Sequence, residues 1–205
     1  PPVKNPIYSR NFPRLILVRR TVKSSVDPRR IQRLNGAGVR LPASHVLYWM
    51  TASRRVAFNS ALERAADWAR ELRLPLVVLE AVRSDYPWAS DRLHRFVLDG
   101  MADNVQRWRD RGIAHLCYVE DDRGAGSGLL AALSADAAVV ITDWYPTFFI
   151  PRMLDAAARV GVAFCRMLNV SHQAGQPHPA CGSLKIPAIG VCQVILRIAP
   201  MYKTC

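Results

Sequence analysis

The residues best suited to chemistry in this sequence gather in four polar segments, each of which follows an apolar run. They are TASRRVAFN (51–59), RSDYPWASDR (83–92), DDRGAGSG (121–128) and WYPTFF (144–149). Arg54 and Arg55 offer fixed positive charge that suits a phosphate or a carboxylate. GAGSG has the glycine content of a phosphate-binding loop, but it lacks the G-x-G-x-x-G pattern and the Lys-Ser/Thr of a P-loop. A flexible turn is therefore the better interpretation of GAGSG.

The sequence carries no recognisable catalytic or metal-binding signature. No Ser/His/Asp set is marked by a nucleophile elbow, and no His/carboxylate cluster has the spacing of metal ligands. The five cysteines, at 117, 165, 181, 192 and 205, form no C-x-x-C pair. Cys117 and Cys165 lie in apolar runs, where cysteine behaves as a small buried hydrophobe. We therefore predict no catalytic residue and no metal ligand in this chain.

Five apolar runs in the middle of the chain have the length and composition of buried strands. They cover residues 45–50, 75–82, 114–119, 137–142 and 162–167. Helical periodicity separates them: one helix begins after the capping residue Asn59, and another runs from Ser90 to Gly112. A short helix follows Gly128, and a fourth has Pro151 in its first turn.

Strands that alternate with helices at this spacing predict a parallel sheet with helices on both faces. Right-handed crossovers then give a doubly wound, Rossmann-like α/β fold in which the five strands lie in the order 3-2-1-4-5. A ligand of such a sheet binds at the carboxyl ends of the strands. The four polar segments all lie at that edge.

The net charge of +12 is concentrated near the two ends of the chain. Residues 1–44 hold ten Lys/Arg against the single Asp27. We expect residues 1–44 to form a basic arm, 45–168 an α/β domain and 169–205 an irregular tail. A basic arm can bind phosphate backbones without reading sequence, and a solvated tail is an equally good interpretation.

The expected compartment is the cytoplasm. No run approaches the length of a membrane span, and LILV (15–18) is too short for the core of a signal peptide. The odd number of cysteines does not suit a disulfide framework, which agrees with a reducing compartment.

Three segments of the sequence match one known family in order. They are VLYWMTASRRVAFNSAL (46–62), LPLVVLEAVRSDYPWASDRLHRFVLDGMADN (74–104) and VVITDWYP (139–146). The chain resembles the amino-terminal α/β domain of the DNA photolyase/cryptochrome family, and most closely the class II-like deoxyribodipyrimidine photolyases. Within these segments, Y-W-M followed by Arg55, Asn59, Ala61 and Leu62, then F-x-L-x-G-M and T-D-x-x-P, carry the resemblance. It covers residues 27–164.

The resemblance implies light-driven repair of cyclobutane pyrimidine dimers in DNA. In such photolyases FAD and the lesion are bound by a helical domain that follows the α/β domain, and the dimer is flipped out of the duplex. The partners implied are damaged DNA and that helical domain. The α/β domain is the side of the molecule that holds an antenna chromophore, whose identity the resemblance leaves open.

An antenna chromophore on this chain would lie at the carboxyl edge of the sheet. The candidate residues are Trp49, Met50, Arg54, Arg55, Asn59 and Asp143. The alternative is that Asn59 only caps its helix and that the arginines are solvated. The segment DYPWASDRLHRF (85–96) has three interpretations: packing at a helix entrance, contact with the helical domain, or contact with the antenna.

After residue 168 the sequence no longer follows the family. Residues 169–205 contain three of the five cysteines and no acidic residue. No stretch with helical periodicity in this segment is long enough to build a flavin pocket. We therefore expect a photolyase fragment that binds no FAD and is inactive alone. The alternative function is a free-standing α/β module that binds a nucleotide or a chromophore, which would need a phosphate-binding glycine turn.

Overall fold

The computed structural model describes residues 16–18, 22–159 and 161–168, and only the backbone of 16–18. The predictions for residues 1–15 and 169–205 lie outside these residues. The strands are β1 (Ile16–Val18), β2 (Ile31–Arg33), β3 (Val39–Leu41), β4 (His45–Met50), β5 (Leu76–Val82), β6 (Ala114–Val119), β7 (Ala137–Trp144) and β8 (Ala163–Leu168). The α-helices are α1 (Ser60–Leu72), α2 (Asp91–Asp110), α3 (Leu129–Ser134) and α4 (Ile150–Ala157).

The main sheet has six strands in the order β2-β8-β7-β4-β5-β6. The five predicted strands are β4 to β8, they pair in parallel, and their spatial order is the predicted 3-2-1-4-5. The doubly wound α/β fold is therefore confirmed. The direction in which the chain winds reverses between β4 and β7. The carboxyl ends of these two strands therefore border the crevice in which such a sheet binds a ligand.

The sequence prediction of an irregular segment before residue 45 is wrong for part of that segment. Strand β2 adds a sixth strand, antiparallel to β8, and β3 pairs with β1 in a separate two-stranded sheet. Each of these strands has three residues, which is too short for a period-2 pattern to be recognised. The division of the chain into an arm, a domain and a tail remains a prediction.

Side chains tie residues 22–44 to the α/β layers. The Asp67 carboxylate, on α1, accepts hydrogen bonds from the backbone N–H and the hydroxyl of Ser25, at 2.9 and 3.0 Å. The Asn35 amide donates to the carbonyl of Val162 at 2.8 Å. This part of the basic segment is therefore packed on the domain by specific polar contacts.

Capping residues set the beginnings of the two long helices, as predicted. The Asn59 side chain accepts hydrogen bonds from the N–H groups of Ala61 and Leu62, and the Ser90 hydroxyl accepts one from Leu93. These bonds satisfy amide groups that the first turn of a helix leaves without a partner. Helix α1 ends at Leu72, and the residue that caps its carboxyl end, Arg73, adopts a left-handed conformation with φ of 54°.

Two apolar layers cover the sheet. On one face, Tyr48, Met50 and Val78 pack with α1 and with Trp108 of α2. On the other face, Leu47, Leu79 and Phe164 pack against α3 and α4. Because successive strand residues point to opposite faces, the nearly continuous apolar runs of β4, β5 and β7 supply both layers. None of the helices in the described part of the chain is both long and apolar enough to cross a membrane.

Candidate functional site: a cavity at the carboxyl edge of the sheet

A cavity of about 660 Å³ opens at the carboxyl ends of β4, β5 and β6. Its volume falls in the ordinary range of sites for small molecules and cofactors. Trp49, Leu79 and Ala81 line its floor, and Ile150 and Met153 of α4 line one wall. The position is the one that parallel-sheet topology favours for a ligand.

An aromatic cluster borders the mouth of the cavity. It consists of Tyr86, Phe148 and Phe149, which line the cavity, and of Trp88, which lies outside the lining and contacts Phe148; all four come from the segments after β5 and β7. The Trp88 and Phe148 rings stack at 5.6 Å between centroids, and Phe148 and Phe149 lie 4.9 Å apart. The Trp88 side chain is 79% exposed and Phe148 is 50% exposed. A planar aromatic ligand would find π-faces at this mouth.

Two members of the aromatic cluster have unusual backbone conformations. Trp88 and Phe148 have φ of 66° and 67°, in the left-handed region that bulky residues rarely occupy. Each such conformation costs on the order of 1 kcal/mol or more, and the surrounding contacts must hold it in place. The two strained residues are the ones that stack on each other. The left-handed backbone at these two residues sets the direction in which their rings leave the loops.

A buried carboxylate holds Arg54, one of two arginines, with Arg83, that line the cavity. Glu80 of β5 is fully buried, and its oxygens lie 3.3 Å from the Arg54 guanidinium and 3.0 Å from His115 Nε2. The Asn104 amide of α2 donates to both oxygens of Glu80. Arg54 also donates to the carbonyl of Ala81 at 2.6 Å. Arg54 thus keeps a fixed position in the cavity wall while a quarter of its side chain stays exposed.

Asp143 organises the loop that follows β4. Its carboxylate is fully buried and accepts hydrogen bonds from the N–H groups of Ala52 (2.6 Å) and Ser53 (3.2 Å), and from the Tyr48 hydroxyl (3.0 Å). The Thr51 hydroxyl and its N–H donate to the same carboxylate. In a nucleotide-binding sheet such turn amides are the groups that receive a phosphate. In this chain these amides donate their hydrogen bonds to the Asp143 carboxylate instead.

The six candidate residues predicted for this edge fall into two groups in the structure. Trp49, Met50 and Arg54 line the cavity. Arg55, Asn59 and Asp143 are not among its lining residues. The Arg55 Nε donates to the carbonyl of Phe58, and the Asn59 amide donates to Tyr48 and to the carbonyls of Ser53 and Arg55. Asn59 is therefore both a helix cap and a support for the loop.

Glu120, which follows β6, joins two of the loops around the cavity. Its Oε1 accepts from the N–H groups of Gly124 (3.0 Å) and Gly126 (3.4 Å), and its Oε2 accepts from the Ser84 N–H at 3.0 Å. An ion pair between Arg123 and Asp85, 2.6 Å long, connects the same loops at the surface. The GAGSG segment is thus a turn closed by a carboxylate of its own chain.

Burial shifts the pKa of several groups near the site. It raises the pKa of the Tyr48 hydroxyl well above its usual value, and the nearby Asp143 charge adds to the effect. Burial also raises the pKa of the Cys117 thiol to about 12, with a further contribution from Glu80. Both groups are therefore neutral at physiological pH and unsuited to act as nucleophiles. Within the described ranges, no group of three His, Cys, Asp or Glu side chains could hold a metal ion.

Two acidic residues that shape the site, Glu80 and Glu120, and its aromatic residues were not predicted as site residues from the sequence. Tyr86 and Trp88 lie in DYPWASDRLHRF, for which the sequence left three interpretations open, and Phe148 lies in WYPTFF. The structure brings Tyr86 within 5.9 Å of Phe148, between ring centroids. The sequence signal that could have indicated this cluster is that two of the segments that follow parallel strands are rich in aromatic residues.

Sequence comparison with known proteins identifies a relative of this chain. No protein-family model matches the chain. A deoxyribodipyrimidine photo-lyase of Methanothermobacter thermautotrophicus is 36% identical to it over 118 residues, which are 58% of this chain. The match spans only 26% of the length of that relative. Through this stretch the chain is related to the DNA photolyase/cryptochrome family.

Proposed function

We propose that this chain supplies the α/β domain of a deoxyribodipyrimidine photolyase, the light-driven enzyme that repairs cyclobutane pyrimidine dimers in DNA. The cavity at the carboxyl edge is the observation that carries the proposal. It has the size of a cofactor site, an apolar floor and aromatic rings in its lining. In this function the cavity holds an antenna chromophore, and Trp49, Met50 and Arg54 are the residues of the original candidate set that contact it.

The described residues would serve the reaction by binding and positioning the chromophore. An apolar floor excludes water from a planar ring system, and the rings of Tyr86, Phe148 and Phe149, which line the cavity, offer stacking partners. Arg54 presents a fixed donor whose charge is largely balanced by Glu80. Electron transfer to the dimer is supplied by FAD when it is bound in the helical domain of such enzymes. Damaged DNA is a partner of that whole assembly.

The alternative, a free-standing nucleotide-binding module, finds less support in the geometry. Such a module needs turn amides that are open to phosphate oxygens. The amides of residues 51–53 bind Asp143, and those of Gly124 and Gly126 bind Glu120. A phosphate would have to displace a carboxylate at either turn. These contacts favour a chromophore held by its rings over a nucleotide held by its phosphates.

The first test measures repair with the chain alone and with the chain joined to the helical domain of the archaeal relative. We expect the 205-residue chain alone to bind no FAD and to repair no dimers, because no part of its sequence has the pattern of a flavin-binding helical domain. The fusion is expected to repair dimers in light. A flavin absorption band that co-purifies with the chain alone, or a folded, flavin-loaded fusion without light-dependent repair, would contradict the proposal.

The second test addresses the antenna. Ala81→Trp places an indole in the cavity and is expected to abolish retention of a chromophore while the chain remains folded. Ala132→Trp, at an exposed position of α3, is the matched control and is expected to retain it. Absorption and fluorescence spectra of the purified fusion measure retention. Equal chromophore content in both variants would show that the cavity is not the antenna site.

A further inference from the structure

The two halves of helix α2 differ in how they pack on the sheet. In the second half, Met101, Asn104 and Trp108 are buried. The Asn104 amide also donates to both carboxylate oxygens of Glu80 on β5. In the first half, none of residues 91–100 is buried. The sheet therefore holds α2 by its second half.

The first half of α2 directs apolar side chains at the cavity. Leu93, Phe96 and Val97 are the residues of α2 that line it. Leu93 is 46% exposed and Phe96 is 78% exposed, so the cavity wall covers these side chains only in part. A contiguous apolar surface that faces water marks a contact with a ligand or a partner. Because all three side chains already line the cavity, its ligand is the surface that would cover them.

Local contacts keep the first half of α2 helical as a unit. The Ser90 hydroxyl caps its first turn by accepting a hydrogen bond from the N–H of Leu93. Arg95 and Asp99 form an ion pair one turn apart, 3.3 Å long. Both contacts lie within the segment or at its start, so they persist if the segment changes its angle to the second half.

Gly100 joins the two halves on the side of the helix that faces the cavity. Helical spacing places position 100 on the same face as Phe96 and Val97, which are four and three residues before it. Apart from neighbouring helix backbone, no heavy atom lies within 4 Å of the place where a Cβ would stand. Close packing therefore does not require a glycine here. Glycine weakens a helix interior, and the space beside it lets the first half bend toward the cavity.

We propose that residues 91–99 form a lid that bends at Gly100 and closes on the ligand in the cavity. In the structure the lid is open, which leaves Phe96 exposed. Closure places Leu93 and Phe96 on the ligand while the second half of α2 stays on the sheet. The closed lid shields an apolar ligand from water and slows its release. This inference rests on the proposed function only in that the cavity is a ligand site.

The test measures binding and release of the neutral dye N-phenylnaphthylamine by the 205-residue chain, with stopped-flow fluorescence. Gly100→Ala adds a methyl group for which the structure has room, but it favours a straight helix over a bent one. We expect release of the dye to accelerate by about fivefold, with an unchanged association rate and a higher urea midpoint. A glycine that served only the helix would change the urea midpoint and leave release as it is.

Two further variants separate the hinge from helix stability. Asp103→Ala raises helix propensity at an exposed position of the second half, so it is expected to raise the urea midpoint and leave release unchanged. Phe96→Ala removes the ring that the lid places on the dye, at a position too exposed to matter for the fold, and is expected to speed release. Because the hinge acts through this ring, Gly100→Ala should have a smaller effect on release in the Phe96→Ala background.

Ala81→Trp separates the lid from the cavity itself. It fills the cavity with an indole and is expected to abolish binding of the dye. Binding that survives Ala81→Trp would place the dye outside the cavity and overturn both the ligand site and its lid. If Ala81→Trp abolishes binding, equal release rates from Gly100→Ala and the unmodified chain would overturn the lid alone. An effect of Gly100→Ala that is the same with and without the Phe96 ring would do so too.

Discussion

The Asp143 carboxylate, at the end of β7, lies 2.6 Å from the backbone nitrogen of Ala52, in the loop after the neighbouring strand β4. A fully buried acid on one strand thus sets the shape of the loop that follows the next strand. Hydrogen bonds to an ionised acceptor in a buried site are stronger than those between neutral groups. The loop 51–55, which contains Arg54, therefore depends on the charge of Asp143.

Replacement of Asp143 by Asn is expected to destabilise the fold. Asn has one carbonyl oxygen in place of the two carboxylate oxygens of Asp. Its amide NH2 group would face backbone N–H groups, and two donors cannot form a hydrogen bond with each other. We expect the free energy of unfolding to fall by about 3 kcal/mol. Urea denaturation measures the change. Asp155→Asn, at an exposed position of α4, is the control and is expected to change stability by less than about 0.5 kcal/mol.

The second prediction concerns the charge balance between Glu80 and Arg54. Glu80→Gln removes the negative charge beside Arg54, so the cavity wall becomes more positive. Arg54→Gln leaves Glu80 without this counter-charge, so the wall becomes more negative. We expect binding of the anionic dye anilinonaphthalene sulfonate to strengthen by about threefold in the first variant and to weaken in the second.

Neutral N-phenylnaphthylamine is the reference dye, because its affinity follows the apolar floor and not the charge. Fluorescence titrations give both dissociation constants, and their ratio separates charge from loosening of the fold. Asp85→Asn, which changes an exposed acid at the rim, is expected to leave the ratio unchanged because water screens it. A ratio that moves in the same direction in both cavity variants would contradict the assigned roles.

The third prediction concerns the loop 121–127, which Glu120 closes. Glu120→Gln removes the ionised acceptor of Gly124 and Gly126 and weakens the link to Ser84. Trypsin cleavage after Arg123, which requires local opening of the loop, is expected to accelerate by about tenfold. Mass spectrometry of timed digests measures the rate. Asp122→Asn alters an exposed neighbour and is expected to leave it unchanged.

Much of the fold could be predicted from the sequence because its signals are local. The apolar runs that became β4 to β8 have a length and composition typical of buried strands, and Asn59 and Ser90 are residue types that cap helices. Strand β2 could not be predicted, since its three residues form a strand only because β8 provides a partner. Its position depends on a contact between segments more than 130 residues apart in the sequence.

The candidate site was harder to predict, because its geometry depends on which side chains the sheet brings together. T-D at the end of a predicted strand suggested an acid at the rim, yet Asp143 points inward and binds loop amides. Nothing in the local sequence distinguishes these two orientations. Likewise Trp88 and Phe148 are distant in the sequence, and their stacking follows from the order of the parallel strands.

The last prediction concerns alkaline pH and the Cys117 thiol. Burial, with a further contribution from Glu80, raises the pKa of this thiol from 9.0 to about 12 in the folded chain. Between these values the thiol ionises in the unfolded chain but stays protonated in the folded one. The unfolded state then binds fewer protons, so the free energy of unfolding falls as the pH rises through this window. Well below pH 9.0 the thiol is protonated in both states and has no effect on the slope.

Cys117→Val keeps an apolar side chain of similar size and removes the titrating group, so its stability should fall less steeply between pH 9.0 and about 12. Tyr48 has a raised pKa for the same reason and keeps part of the slope in the variant. Urea denaturation at a series of pH values measures the difference. In parallel, the alkylation rate of Cys117 by iodoacetamide in the folded chain should still be rising above pH 9.0, because the thiolate is the nucleophile. An alkylation rate that levels off near pH 9.0, together with equal slopes in the two proteins, would show that the thiol is not held in its neutral form.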